Sequence, residues 1–318
     1  MTFSSITKNE LSKIVITNKC CQLALLSALV KMTGTVQIHG INKLGVRLST
    51  ENASIARMLF SLLKSCFKIN TRVVVRKNKN LKKNNNYTLY IDSEMGALDV
   101  LKATGIIQES EKGLRINYKL PHHLIKKACC RKAYLRGIFL GGGSISDPEK
   151  TYHLELVTNN GDFAEDIMEL LNTYELGAKV VVRKGNYVVY IKEGEHIVKF
   201  LSIIGAHSAL LNLENVRIYK EMRNNVNRIV NCETANLDKT LNAATRQIEN
   251  IIYIKETMGL DKLPEGLAEI AELRLEYKEA SLKELGEMLS PAVGKSGVNH
   301  RLRKLDQIAE KLRDRAKE

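Results

Sequence analysis

The chain has 318 residues, 44% of them hydrophobic and 26% charged, with a formal net charge of +14 at pH 7 and a pI near 9.4. That length exceeds one ordinary core and suits two or three domains, the apolar content excludes a disordered chain, and the charge points to a polyanionic partner. No stretch approaches the roughly 20 apolar residues that span a bilayer, and the opening MTFSSITKNELSK has no signal-peptide core, so a cytoplasmic protein without a membrane partner is expected.

The first predicted helix opens on two vicinal cysteines, CCQLALLSALVKMTGTV from Cys20, and its pattern returns as CCRKAYLRGIFLGGGSI from Cys129. In register, Ala24 meets Ala133, Ala28 meets Gly137, Leu29 meets Ile138, Gly34 meets Gly143 and Val36 meets Ile145. LSTEN (48–52) then answers LVTNN (156–160), and each precedes a helical pattern, Ile55-Leu59-Leu62-Leu63 or Phe163-Ile167-Leu170-Leu171. TRVVVRK (71–77) matches AKVVVRK (178–184), NYTLYI matches NYVVYI, and a short helix closes each copy at Gly105 or Gly205.

Each copy therefore reads as a helix, two short strands, a helix, two strands and a closing helix. A period near 100 residues is longer than a solenoid unit, which favours two similar α+β halves about a pseudo-twofold axis. Two four-stranded sheets side by side would offer a long concave surface suited to a duplex. The six cysteines (20, 21, 66, 129, 130 and 232) include no CxxC and no His at zinc-ligand spacing, so reduced thiols with no metal and no cofactor are expected.

Basic residues are uneven. Residues 1–105 hold 16 Lys and Arg against five acids, whereas residues 129–207 hold nine against ten. The stretch 71–90 contributes Arg72, Arg76, Lys77, Lys79, Lys82 and Lys83 and no acid. A lone loop of this kind is ordinarily a solvated turn, but the surplus of the whole first copy favours phosphate contact without sequence reading. Tyr87 and Tyr90 read as sheet residues rather than stacking platforms.

From about Asn212 the pattern is wholly helical. Val216, Tyr219, Val226 and Val230 form an apolar stripe, with Arg217, Lys220, Asn224 and Arg228 on another face, giving Arg217 and Lys220 as further phosphate candidates. Leu237, Leu241, Ala244, Ile248, Ile251 and Ile252 mark a core-facing helix that stops at Gly259, and Pro264 starts another that buries Leu267, Ile270, Ala271 and Tyr277.

Ser281 with Glu284 forms a capping box before a short helix of Leu282, Leu285, Met288 and Leu289; Ser290-Pro291 ends it and Gly294 allows the turn. Ser296 is expected to cap a second helix with Val298, Leu302, Leu305 and Ile308 inward. Asn299, His300, Arg301, Arg303 and Lys304 are then left toward solvent, and with Lys295 and Ser296 they are the DNA-binding candidates. Arg can pair bidentately with guanine and Asn with adenine. A charged surface helix is the ordinary alternative.

LRGIFLGGGSI (135–145) resembles the LAGLIDADG helix of homing endonucleases, in which small residues pack two helices closely and a final acid holds the catalytic metal. The acid positions fall on Gly142 and Thr33, which cannot anchor a divalent cation, and this argues against metal-dependent cleavage. Asp147, beside Pro148, reads as a turn residue, and GGGS lacks the GK[ST] ending of a phosphate loop.

KSGVNHRLRKL (295–305), NCETANLDKTLNAATRQIENI (231–251) and YLRGIFLGGGSISDPEKTYHLE (134–155) resemble the WhiA family, so the likeness runs over nearly the whole chain. It implies an α+β fold: a two-repeat LAGLIDADG homing-endonuclease-like domain followed by an all-α helix-turn-helix domain. The expected segments are a first repeat at 1–110, a second at 111–207, a linker helix at 208–230 and a helical domain at 231–318, with the helix-turn-helix at about 281–313. The resemblance further implies a non-enzymatic, sequence-specific binder of double-stranded DNA in a Gram-positive bacterium, nucleoid-associated and regulating transcription in cell division, chromosome segregation or sporulation. The near-neutral second repeat is free for a protein partner, and the oligomeric state stays open. Two rivals remain: a nucleoid or division scaffold acting through protein contacts, and an active endonuclease with displaced ligands such as Asp147.

Overall fold

Two helices that open on the paired cysteines touch at backbone distance and organise the first of two units, Met1–Glu221 and Met222–Glu318. A computed structural model describes residues 2–40, 43–77, 85–110 and 113–316.

In the first unit, α1 (Phe3–Leu11) precedes the first copy: α2 (Lys19–Thr33), β1 (Gly34–Gly40), β2 (Lys43–Thr50), α3 (Ala53–Phe67), β3 (Arg72–Lys77), β4 (Asn85–Ile91) and α4 (Ala97–Ala103). A ribbon of β5 (Ile107–Ser110) and β6 (Gly113–Ile116) leads to the second copy: α5 (Ala128–Gly142), β7 (Gly143–Ile145), β8 (Leu154–Thr158), α6 (Gly161–Asn172), β9 (Lys179–Arg183), β10 (Asn186–Ile191) and α7 (Gly194–Ile204). The two antiparallel sheets have the same order, β1-β2-β4-β3 and β7-β8-β10-β9.

Equivalent residues make equivalent local structure. Asn52 accepts hydrogen bonds from the Ser54 and Ile55 N–H groups at the start of α3, and Asn160 accepts from Phe163 at the start of α6, so the matched Asn of each copy caps its helix. Between α2 and α5, a Cβ on Gly137 would lie 2.6 Å from the Ala28 Cβ and 2.7 Å from the Leu25 carbonyl oxygen. A Cβ on Gly141 would lie 2.5 Å from that of Met32, so only glycine permits this approach. Leu44, Val46, Leu48, Leu89 and Ile91 turn one sheet face onto the helices, together with Phe139, Phe163 and Phe200 of the second copy, in one continuous core.

Three features differ from expectation. The N-terminal segment forms α1, whose Glu10 carboxylate accepts from the Ser208 and Ala209 N–H groups at 2.7 and 3.1 Å and thereby caps the start of α8 (His207–Thr257). The β5-β6 ribbon straddles the expected repeat boundary at 110/111. The expected linker helix and the helix after it are one 51-residue helix, α8, and the division between the units falls inside it.

The second unit holds the end of α8 with α9 (Glu265–Glu276), α10 (Leu282–Met288) and α11 (Lys295–Arg315). Ile251, Ile254, Leu267, Ile270, Leu285, Leu289, Val298, Leu302, Leu305 and Ala309 form its core. Leu237, Leu241, Ile252 and Tyr277, read as core residues, are exposed; buried positions on this part of α8 begin only at Gln247, which leaves Leu237 and Leu241 before the covered stretch. The buried Arg274 guanidinium donates to the Gln247 side-chain oxygen and to the Ala280 carbonyl, which offsets the cost of its burial. Among the described residues, no helix is long and apolar enough to cross a membrane.

Candidate nucleic-acid interface

The helix-turn-helix is set by its first helix. Ser281 Oγ accepts from the Glu284 N–H while the Glu284 carboxylate accepts from the Ser281 N–H at 2.7 Å, and these bonds hold the Glu284 carboxyl below the usual range. The turn closes where the Val293 N–H donates to the Gly286 carbonyl. A Cβ on Gly286 would lie 2.1 Å from the Val293 carbonyl oxygen, so the turn needs glycine at Gly286, whereas Gly294, expected to allow the turn, has open space around it. Gly294 is instead the N-cap of α11, in extended backbone, and Ser296 lies inside the first turn rather than capping it.

Val298, Leu302, Leu305 and Ala309 bury one face of α11. Lys295, Ser296, His300, Arg303 and Lys304 are exposed on its N-terminal half, and Asn299 is half-buried. Arg301 departs from the solvent-facing expectation: its guanidinium turns back to α9, donating to the Gly266 carbonyl at 3.3 Å and lying 4.0 Å from the Glu269 carboxylate. Asp306 accepts from Asn250 at 2.7 Å and pairs with Arg246, so the far half of α11 is fixed against α8.

In the first unit, residues paired across antiparallel strands share a face. Thr35, Arg47, Tyr90 and Arg72 form one such row across β1, β2, β4 and β3, on the side away from the helices. Arg72 stacks over the Tyr90 ring at 5.1 Å, and Arg76, opposite Asn86, continues the same face. Lys77 alternates onto the other side. Arg47 was missed, although the alternation of Leu44, Val46 and Leu48 in KLGVRLST already directs it outward. Lys79, Lys82 and Lys83 lie outside the described residues.

The second sheet repeats the row as Ser144, Glu155, Tyr190 and Lys179. Glu155 accepts from His153 at 2.7 Å and lies 3.5 Å from Arg183, so an acid sits where the first copy has Arg47. Arg217 and Lys220 are engaged within the first unit: Arg217 pairs with Glu195 and Glu214, and Lys220 donates to the Pro148 carbonyl over the Tyr152 ring.

At the positions aligned with the LAGLIDADG acids, Thr33 Oγ1 donates to the Leu29 carbonyl at 2.8 Å. A Cβ on Gly142 would lie 2.2 Å from the Met32 methyl and 2.7 Å from the Val157 carbonyl oxygen, so side-chain space there is already filled. Asp147 accepts from the Glu149 N–H with its side chain and from Lys150 and Thr151 with its carbonyl, as a turn residue does.

Three family descriptions match consecutive parts of the chain: the WhiA N-terminal LAGLIDADG-like domain over residues 19–107, the WhiA LAGLIDADG-like domain over 131–223 and the WhiA C-terminal HTH domain over 226–309. A protein named "Probable cell division protein WhiA" from Alkaliphilus oremlandii is 58% identical over 99% of this chain and 98% of its own length. One of the same name from Clostridium novyi is 54% identical over the full length of both. The crystal structure of full-length WhiA from Thermatoga maritima, 26% identical, superposes with a TM-score of 0.60 over 98% of this chain and 99% of that one. With two LAGLIDADG-like repeats in order before a helix-turn-helix, the chain belongs to the WhiA family.

Proposed function

We propose that the protein is a sequence-specific binder of double-stranded DNA that regulates transcription in cell division, chromosome segregation or sporulation, acting in the cytoplasm at the nucleoid. One observation carries this reading: Lys295, Ser296, His300, Arg303 and Lys304 lie exposed on the N-terminal half of the second helix of a capped helix-turn-helix, the part that meets base edges in the major groove. Asn299 stands beside them, and Arg301 positions the helix. The name shared by the relatives supports the cell-division context.

The outer face of the first sheet, with Arg47, Arg72 and Arg76, contacts the phosphate backbone, and Lys77, Lys79, Lys82 and Lys83, which follow in sequence, add to its positive charge. Arg217 and Lys220, already bound within the fold, are left out of that set. The protein does not cut DNA, because Thr33 and Gly142 offer no carboxylate and the space at Gly142 is closed. Incubation with plasmid DNA and Mg²⁺ tests this: intact plasmid is expected, and nicking abolished by Asp147→Ala would overturn it. Selection of bound sites from random duplexes tests the main reading, with one enriched sequence expected from the wild type and the same sequence, weaker and relaxed at one position, from Arg303→Ala.

A second reading, in which protein contacts dominate, is favoured by the exposed Val226, Val230, Leu237 and Leu241 on α8 and by the near-neutral second repeat. It predicts normal cellular localisation after removal of residues 295–316.

A further inference from the structure

The two vicinal cysteine pairs lie 109 residues apart in sequence, yet the fold brings them together. Cys20 and Cys21 stand in the first turn of α2, Cys129 and Cys130 in the first turn of α5, and all four sulfurs lie within 4.8 Å of one another. The repeat symmetry orders the cluster: Cys20 and Cys129 are exposed, and their neighbours Cys21 and Cys130 are buried.

We propose that Cys20, Cys21, Cys129 and Cys130 form a mononuclear tetrathiolate site for a thiophilic divalent cation of the zinc class, clasping the two repeats at the start of their central helices. The reading rests first on size. A zinc–sulfur bond of about 2.3 Å in a tetrahedron sets sulfur–sulfur edges of about 3.8 Å, so sulfurs no more than 4.8 Å apart come to ligand distance by small side-chain rotations. Four sulfurs in closed tetrahedral arrangement select zinc over the hard cations, which prefer oxygen. Symmetry agrees as well, because a tetrahedron contains twofold axes and the pseudo-twofold relation of the copies exchanges one ligand pair with the other.

Charge supports the same occupant. A divalent ion with four thiolates carries a net charge of −2. Both helices present their positive N-terminal ends to the cluster, and neither Asn18 nor Lys127 caps its helix with a side-chain hydrogen bond. A cavity of about 290 Å³ beside Cys21 and Cys129 is lined by Lys132 and Arg136, which supply compensating charge next to the ligands. The cluster lies at the opposite ends of α2 and α5 from Thr33 and Gly142, so it is separate from the lost endonuclease metal position. Sequence spacing gives no hint of it, since each half is a vicinal pair and the ligands meet only across the repeat interface.

The test is titration of the reduced, metal-stripped full-length chain with Co²⁺ and then Zn²⁺. The expected result is one Co²⁺ per chain with the charge-transfer and ligand-field bands of a tetrahedral thiolate site, bleached by one equivalent of Zn²⁺. Cys20→Ser with Cys129→Ser, which removes one exposed ligand from each repeat, should abolish the bands while circular dichroism shows the fold retained. Cys66→Ser and Cys232→Ser should leave them unchanged. Zn²⁺ should also raise the melting temperature of the wild type and not of the double variant. Absence of stoichiometric binding, bands that survive in the double variant, or isolation of several irons with inorganic sulfide on these cysteines would overturn the proposal.

Discussion

Arg47 and Glu155 occupy equivalent places in the two sheets, each beside the matched tyrosine, Tyr90 or Tyr190, on the face away from the helices. One substitution has therefore reversed the charge at the middle of an otherwise repeated row, and Arg183 and His153 already engage the acid. If only the first sheet grips phosphates, Arg47→Glu should weaken DNA binding evenly across sequences and lower the slope of log affinity against log salt by about 1 to 2. Glu155→Gln should leave both nearly unchanged. Equal effects of the two variants in a salt series would refute the asymmetry.

Arg301 and Arg303, two residues apart on α11, should separate cleanly. Arg303→Ala is expected to cost about 1 to 3 kcal/mol of specific binding and to relax base preference at one position while leaving the melting temperature unchanged. Arg301→Ala removes the link to Gly266 and Glu269 and should lower thermal stability as well. Fluorescence anisotropy paired with thermal melts distinguishes the two; an Arg301→Ala protein as stable as wild type would place that side chain with the readers.

The contact between α2 and α5 leaves no room at Gly137, where a Cβ would meet Ala28 and Leu25. Gly137→Ala should destabilise the protein by about 1 to 3 kcal/mol through overpacking. Gly194→Ala, whose nearest neighbour would be 3.5 Å away, serves as the control and should be close to neutral. Urea unfolding of the two variants checks this, and equal midpoints would refute the close packing.

Burial lowers the Lys31 ammonium from its ordinary 10.5 to about 8, with Asp166 opposing the shift, while the ammonium donates to the carbonyls of Asn117 and Lys119. Between those two pH values the unfolded chain binds more protons at this position than the folded chain, so its contribution to stability rises with pH from about 8 to 10.5 and is lost as pH falls through 8. Lys31→Met should flatten the rise of the urea midpoint across that window. A slope identical to wild type would show that Lys31 keeps its ordinary titration.

What the sequence disclosed followed the range of the interactions. The capping box of Ser281 and Glu284, the alternation in the strands and the apolar face of α11 are local patterns and were legible. The matched repeats also announced two like sheets. Arg301 was misplaced because helical periodicity gives only an angle, and whether a long side chain turns to solvent or back to Gly266 depends on α9. Leu237 and Leu241 kept a core-like spacing on a stretch of helix that no described element of the second unit covers. The Glu10 cap on α8 and the cysteine cluster join residues 198 and 109 positions apart, which no local pattern reveals.

On the proposed function, α11 reads DNA sequence. Genome-wide mapping of bound DNA in cells, with wild type and Arg303→Ala at equal abundance, tests it most directly. Discrete wild-type peaks sharing one motif are expected, with the peaks weakened or lost and the motif relaxed at one position in the variant. Peaks of the same position and height in both would contradict it.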